Sequence, residues 1–215
     1  QTAEAVDGPR TVPFYSQFTD ISRPEWRQTA CGIAALAMLI DYYQPAESPD
    51  TLLERGIASG AYLDHAGWIH AGLIDLARPH GLTGASHSLA HLSPDAALSD
   101  LTEVLRDGPV MASVYYTFTP GHPIPHLVVV NGIADGVVHY NDPSEAAGDG
   151  TISVEAFEVV NHILTLGYAA MGAALLYFVL TKNQNMPKYR MSSVLSVVVM
   201  VSALLLLFAQ QNSWS

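Results

Sequence analysis

His126-Leu-Val-Val-Val-Asn-Gly-Ile-Ala-Asp-Gly-Val-Val-His-Tyr-Asn-Asp142 is two β-rich runs folded about Ile133-Ala-Asp-Gly136. Valine and isoleucine crowd each run, and the Asp-Gly pair between them is a hairpin turn. A third run, Pro109-Val-Met-Ala-Ser-Val-Tyr-Tyr-Thr-Phe118, has the same texture just upstream. Before it the punctuation is helical. Ser48-Pro49 and Ser93-Pro94 each pair a capping serine with a proline for the first turn. The first of these helices is expected to end by Gly56. The second has Ala97, Leu98, Leu101, Val104 and Leu105 on one stripe. A further helix is expected over 66–78, closed by Pro79 and Gly81, with Trp68 on it as a core residue. Thr11-Val-Pro-Phe-Tyr-Ser-Gln17 reads as a short strand. Helices first and strands after, without strict alternation, predict an α+β fold with a mostly antiparallel sheet.

The hairpin also brings chemistry. His126 opens one strand and Asp142 closes the next. A loop centred on Ala134 would set the two opposite each other, whereas a two-residue Asp-Gly turn would offset them. Histidine beside a carboxylate is what a cysteine nucleophile lacks: the ring takes and returns the thiol proton, and the carboxylate fixes its tautomer. The chain holds one cysteine, Cys31, so no internal disulfide can form. It opens the apolar run Cys31-Gly-Ile-Ala-Ala-Leu-Ala-Met-Leu-Ile40, which predicts a helix ending near Tyr43, before Pro45. A thiol at a helix N-terminus meets unpaired N–H groups and the positive end of the dipole, which favour thiolate. The plainer reading of a lone cysteine, a small buried hydrophobe, leaves the His126–Asp142 pair without a purpose.

These three stretches, with Tyr140-Asn-Asp-Pro143, resemble the C39-like branch of the papain-like cysteine peptidases, which includes the bacteriocin-leader peptidases. The resemblance covers about residues 11–158. It implies a papain-like fold with a central N-terminal helix, Cys31 as nucleophile, His126 as general base and Asp142 as orienter. It also implies a glutamine upstream of the cysteine, helping the cysteine's own N–H to bind an oxyanion. In the leader peptidases that glutamine stands six residues before the cysteine, where this chain has Glu25. Gln17 is the first candidate for the role and Gln28 the second. With no transporter body in the sequence, the coupled export of the leader peptidases is not expected.

Charge divides the chain. All twenty acidic residues lie at or before Glu158, with six arginines and no lysine. Lys182, Lys188 and Arg190 follow. The front is thus 6 − 20 = −14 and the rest +3, matching the total of −11. Such a break suggests a domain boundary near 158/159, and two sequences of different origin joined there. An acidic front argues against nucleic acid as partner. Gln1 in first place is expected of a processed form or a fragment.

Residues 163–181 and 192–209 carry no charge, and each is near the roughly 20 residues of a membrane-spanning helix. The basic loop 182–190 between them predicts a transmembrane hairpin with that loop in the cytoplasm and the acidic domain outside. Asn161-His-Ile-Leu-Thr-Leu-Gly-Tyr168 and its continuation through Tyr189-Arg-Met-Ser-Ser-Val to Gln210 resemble the first two helices of marine bacterial sodium-pumping rhodopsins. That resemblance implies the same topology. It does not extend to retinal, because the spans contain no lysine to condense with it. No cofactor or metal is expected. His87 and His91 lack a third ligand nearby, and Pro123 and Pro125 break the helix that His122 and His126 would need. Gly148-Asp-Gly-Thr-Ile-Ser-Val-Glu155 fails as a calcium loop, having Ser144 and Asp149 where aspartate and glycine belong. The expectation is a membrane-anchored cysteine peptidase or amidase acting on a peptide or amide substrate. A catalytically silent anchored binding module and a transferase using the same triad are the alternatives.

Overall fold

Serine caps and prolines set the helix starts. In the computed structural model, which describes residues 8–45, 47–64, 66–89, 91–118, 125–157 and 159–168, Ser48 Oγ accepts from Thr51 N at 3.2 Å and opens α2, Pro49–Ala58. Ser93 Oγ accepts from Ala96 N at 3.4 Å and opens α4, Pro94–Val104. The first helix, α1, is Cys31–Tyr43. Ala30 caps it without a side-chain acceptor, so the N–H groups of its first turn are not claimed by a capping side chain. Residues 32 to 40 of α1 are all buried, because the run is apolar on every side and the helix is packed all round.

The remaining elements are β1 (Tyr62–Leu63), β2 (Gly67–Trp68), α3 (His70–Ala77), β3 (Leu82–Ser88), β4 (Val110–Tyr115), β5 (Pro125–Ala134), β6 (Val137–Asn141), β7 (Gly150–Ser153) and β8 (Val159–Tyr168). β1 and β2 form a small hairpin; the other six make one sheet in the order β3-β8-β4-β5-β6-β7. Every pairing in it is antiparallel. One face carries α1 to α3 over Met111, Leu127, Val129 and Leu166. The other buries Val110, Val128, Val130 and Val138 with Leu101 and Leu105 of the α4 region. Alternation along β5 supplies both cores. The expected helix-first, antiparallel α+β architecture is the one observed.

Three expectations need correcting. Residues 11–17 form no strand: Arg10 N donates to Asn131 O at 3.0 Å, but Pro9 and Pro13 have no N–H with which to extend a ladder. Trp68 is core, 8 % exposed, yet it sits on β2 rather than a helix, since Gly67 at φ 85° turns the chain into the β1–β2 hairpin. α3 therefore begins only at His70. Third, the break in charge at 158/159 is not the end of the folded unit, which runs to Tyr168. β8 lies between β3 and β4, so Ile163–Tyr168, expected to begin a membrane span, is sheet. The rest of that span, 169–181, and the second, 192–209, lie outside the described residues. Among the described residues no helix is long and apolar enough to cross a membrane.

Candidate active site

A register shift puts the acid beside the base. β5 and β6 are joined by the two-residue turn Asp135–Gly136, both at positive φ (51° and 74°), and pair as Ala134↔Val137 through Gly132↔His139. Continued unbroken, that register would set Asp142 opposite Val129, on the face His126 does not share. Between Gly132 and Val130 the register slips by one residue, to Val130↔Tyr140 and Val129↔Asn141. Asp142 then continues opposite Val128, two residues from His126 and on its face. Asn131 is the extra residue of this bulge. It is buried, and its Nδ2 donates to Asn141 Oδ1 at 3.2 Å. Asn141 Nδ2 in turn donates to the carbonyl of Val12 at 3.2 Å, and its Oδ1 accepts from Asp149 N at 3.0 Å.

His126 Nε2–H donates to Asp142 Oδ1 at 2.6 Å, with the two residues 5 % and 6 % exposed. Asp142 Oδ1 also accepts from Ser144 N at 2.7 Å. Cys31, half-buried at the start of α1, lies close enough to the same imidazole to bear on its charge. Nε2 being taken by Asp142, Nδ1 is the nitrogen left for the sulfur. Burial pulls the His126 imidazolium down, but the hydrogen bond to Asp142 and the negative charges of Cys31 and Asp142 outweigh it, raising the pKa to about 9. Burial would likewise raise the Asp142 carboxyl, yet the bond to His126, its positive charge and the Ser144 N–H hold it below the usual range.

Gln17 is 4 % exposed and anchored twice. Its backbone N–H donates to Pro143 O at 2.8 Å, beside Asp142, and its Nε2 donates to Arg27 O at 2.8 Å, in the turn leading to Cys31. Its Oε1 is buried without a partner among the described residues. The second Nε2 hydrogen is left over after the bond to Arg27. Gln28 is exposed in that turn. The site therefore gathers Cys31, His126 and Asp142, ties Gln17 to both sides of them, and leaves Gln28 at the surface. Two parts are not picked out by motif or spacing: the Asn131–Asn141 pair and Tyr116. Tyr116 stands with its ring 5.4 Å from that of His126, at 90° to it. A polar Asn131 within an otherwise apolar strand is the one available signal for the pair.

The peptidase C39-like family matches residues 9–172. The chain belongs to that family. It is, accordingly, a peptidase, and the match runs past residue 158, as the sheet does. No curated protein is similar enough to match. Among solved structures, a putative C39-like peptidase from Bacillus anthracis is 18% identical, with a TM-score of 0.50 over 72% of this chain and 94% of that one. A double glycine motif protease from an AMS/PCAT transporter, solved in complex with the leader peptide, is 21% identical, with a TM-score of 0.50 over 75% and 95%. These likenesses carry the fold; the chemistry of this member of the family rests on its own residues.

Proposed function

We propose that this C39-like peptidase cleaves peptide or amide bonds through Cys31, His126 and Asp142 by way of a thioester. The observation that carries the reading is the buried 2.6 Å bond from His126 to Asp142 on an imidazole that also meets Cys31. Cys31 sulfur attacks the scissile carbonyl carbon as thiolate, its proton held on His126. The oxyanion so formed takes hydrogen bonds from the Cys31 N–H and from the free Nε2 hydrogen of Gln17. As the C–N bond breaks, His126 protonates the departing amine. Water then attacks the thioester, His126 accepts its proton, the C–S bond breaks, and the acid leaves. Asp142 keeps the ring oriented and offsets its charge without itself accepting the proton. An amine in place of that water would make the same site a transferase.

A structural relative is a double glycine motif protease, so peptides that contain a double glycine head the panel of candidate substrates. The test is a peptide-library digest by the full chain, with mass spectrometry of quenched samples. Cleavage products and a peptide bound to Cys31 are expected from the wild type and neither from Cys31→Ala. Equal cleavage by Cys31→Ala would overturn the reading, and no cleavage by either protein would leave a binding module.

For the uncharged segments beyond the domain we propose membrane attachment, the bilayer being the second partner. Two spans, with 182–190 in the cytoplasm, place the enzyme on the extracytoplasmic face. One observation favours a second arrangement. With Ile163–Tyr168 in β8, the first apolar segment keeps only residues 169–181. As a helix that is about 20 Å, short of the roughly 30 Å hydrocarbon core. A single span through 192–209 would leave the enzyme on the side of Lys182, Lys188 and Arg190, the cytoplasm.

A further inference from the structure

We infer that Tyr116 is a positioning residue for His126, its ring holding the imidazole in the plane that joins Cys31 to Asp142; the inference rests on the catalytic reading of that site. A ring held at Nε2 by Asp142 can still rock about its side-chain torsions, since the terminal torsion of histidine is broad. Rocking takes Nδ1 off the sulfur while leaving the bond to Asp142 partly made. The perpendicular contact at 5.4 Å opposes that motion, and perpendicular is a preferred geometry for two aromatic rings.

Tyr116 is not where it is for core packing. It is 37 % exposed and one of three large apolar side chains so exposed among the described residues. What puts it there is a built turn. β4 ends with Tyr115 opposite Pro125, next to His126. The chain then makes a 3-10 turn over Tyr116–Phe118. Phe118 holds a left-handed φ of 52°, a conformation unfavourable for a bulky residue unless its surroundings impose it. Those surroundings are Tyr140 and Phe157, whose ring centres lie 4.7 and 5.7 Å from that of Phe118. Tyr140 is on β6, two residues before Asp142. The strand that delivers the carboxylate therefore also anchors the turn that presents Tyr116 to the imidazole.

The test uses the full chain and an N-blocked Gly-Gly aminomethylcoumarin amide, or the best peptide from the library digest if that amide is not cleaved. Tyr116→Leu keeps apolar bulk but removes the ring; Tyr116→Phe keeps the ring. The expected result is a kcat about threefold to tenfold lower for Tyr116→Leu, with KM within a factor of about two, near-wild-type kcat for Tyr116→Phe, and unchanged thermal midpoints. Wild-type kcat in Tyr116→Leu would overturn the inference. So would a loss confined to KM, which makes Tyr116 a wall of the substrate groove, or an equal loss in Tyr116→Phe. Cys31→Ala, assayed alongside, separates the two levels: activity without Cys31 sinks the catalytic reading itself, whereas a dead Cys31→Ala beside a normal Tyr116→Leu sinks only the role of Tyr116.

Discussion

One short bond dictates what substitution should do at the site. Cys31→Ala should abolish hydrolysis and His126→Ala nearly so, because nucleophile and base act as a unit. Asp142→Asn should keep measurable turnover, since an amide oxygen can still accept from Nε2–H; steady-state kinetics on one cleaved peptide check all three. Unchanged turnover in His126→Ala would mean that the base lies elsewhere. Gln17→Ala should lower kcat about a hundredfold, the usual effect of losing one oxyanion donor, and exposed Gln28→Ala far less. The reverse ranking would transfer the role. The pH dependence follows from the raised His126 value. A histidine held above its unfolded value, about 6.5, stabilises the fold fully below that pH and ceases to as pH rises through about 9. The difference in thermal midpoint between wild type and His126→Gln should therefore be largest near pH 6 and fade by about pH 10. Asp142 is shifted the other way, so its contribution is present above the ordinary carboxylate range and lost as pH falls below it. A midpoint difference flat from pH 6 to 10 would refute the raised value. Cys31, His126 and Asp142 can be read from the sequence as candidates because each bounds an apolar run whose edge the sequence shows. Tyr116 cannot, since only a turn imposed from outside its own segment aims it at the ring.

Elements that begin with their own capping residues could be read from sequence; those set by distant partners could not. The starts of α2 and α4 are local, a serine and a proline each. The bulge at Asn131 depends on Asn141, ten residues on, and on the carbonyl of Val12. A strand pattern gives the face of each residue only while the register holds, so the slip, not the pattern, fixes the offset of Asp142. The β1–β2 hairpin is the other long-range device. Trp68 packs into a notch of two glycines: a Cβ at Gly32 would stand 2.8 Å from its Cδ1, and one at Gly56 2.7 Å from its Cζ3. Its indole N–H donates to Thr29 O at 2.7 Å, two residues before the nucleophile. Trp68→Ala should cost about 3–5 kcal/mol in denaturant unfolding. Gly32→Ala should cost about 1–3 kcal/mol by overpacking, and should slow Cys31 alkylation as well, since the pushed indole is bonded to the turn that ends at Cys31. Wild-type stability in Gly32→Ala would show that the indole yields freely.

At the scale of the molecule, composition marked a boundary that the sheet does not respect. Ile163–Tyr168 is apolar and uncharged, and such a run is equally a buried strand or the start of a span; hydropathy does not arbitrate between them. The sheet does, because among the described residues β3 has no neighbour in it other than β8. A chain ending at residue 158 should therefore fail to fold, while one ending at 172 should unfold cooperatively; circular dichroism on both decides, and a cooperative 1–158 would return the boundary to the charge break. The same strand changes the membrane argument, because it shortens one of the two apolar segments. Three single cysteines in a Cys31→Ser background separate the arrangements: Asp100→Cys on the exposed side of α4, Asn183→Cys in the basic loop and Ser213→Cys near the end. With two spans, a membrane-impermeant maleimide on intact cells should label 100 and 213 but not 183. With one span it should label 213 alone. Protection of all three would place the whole chain inside and end the case for a span, and labelling of 183 would contradict the basic-loop rule on which both arrangements depend.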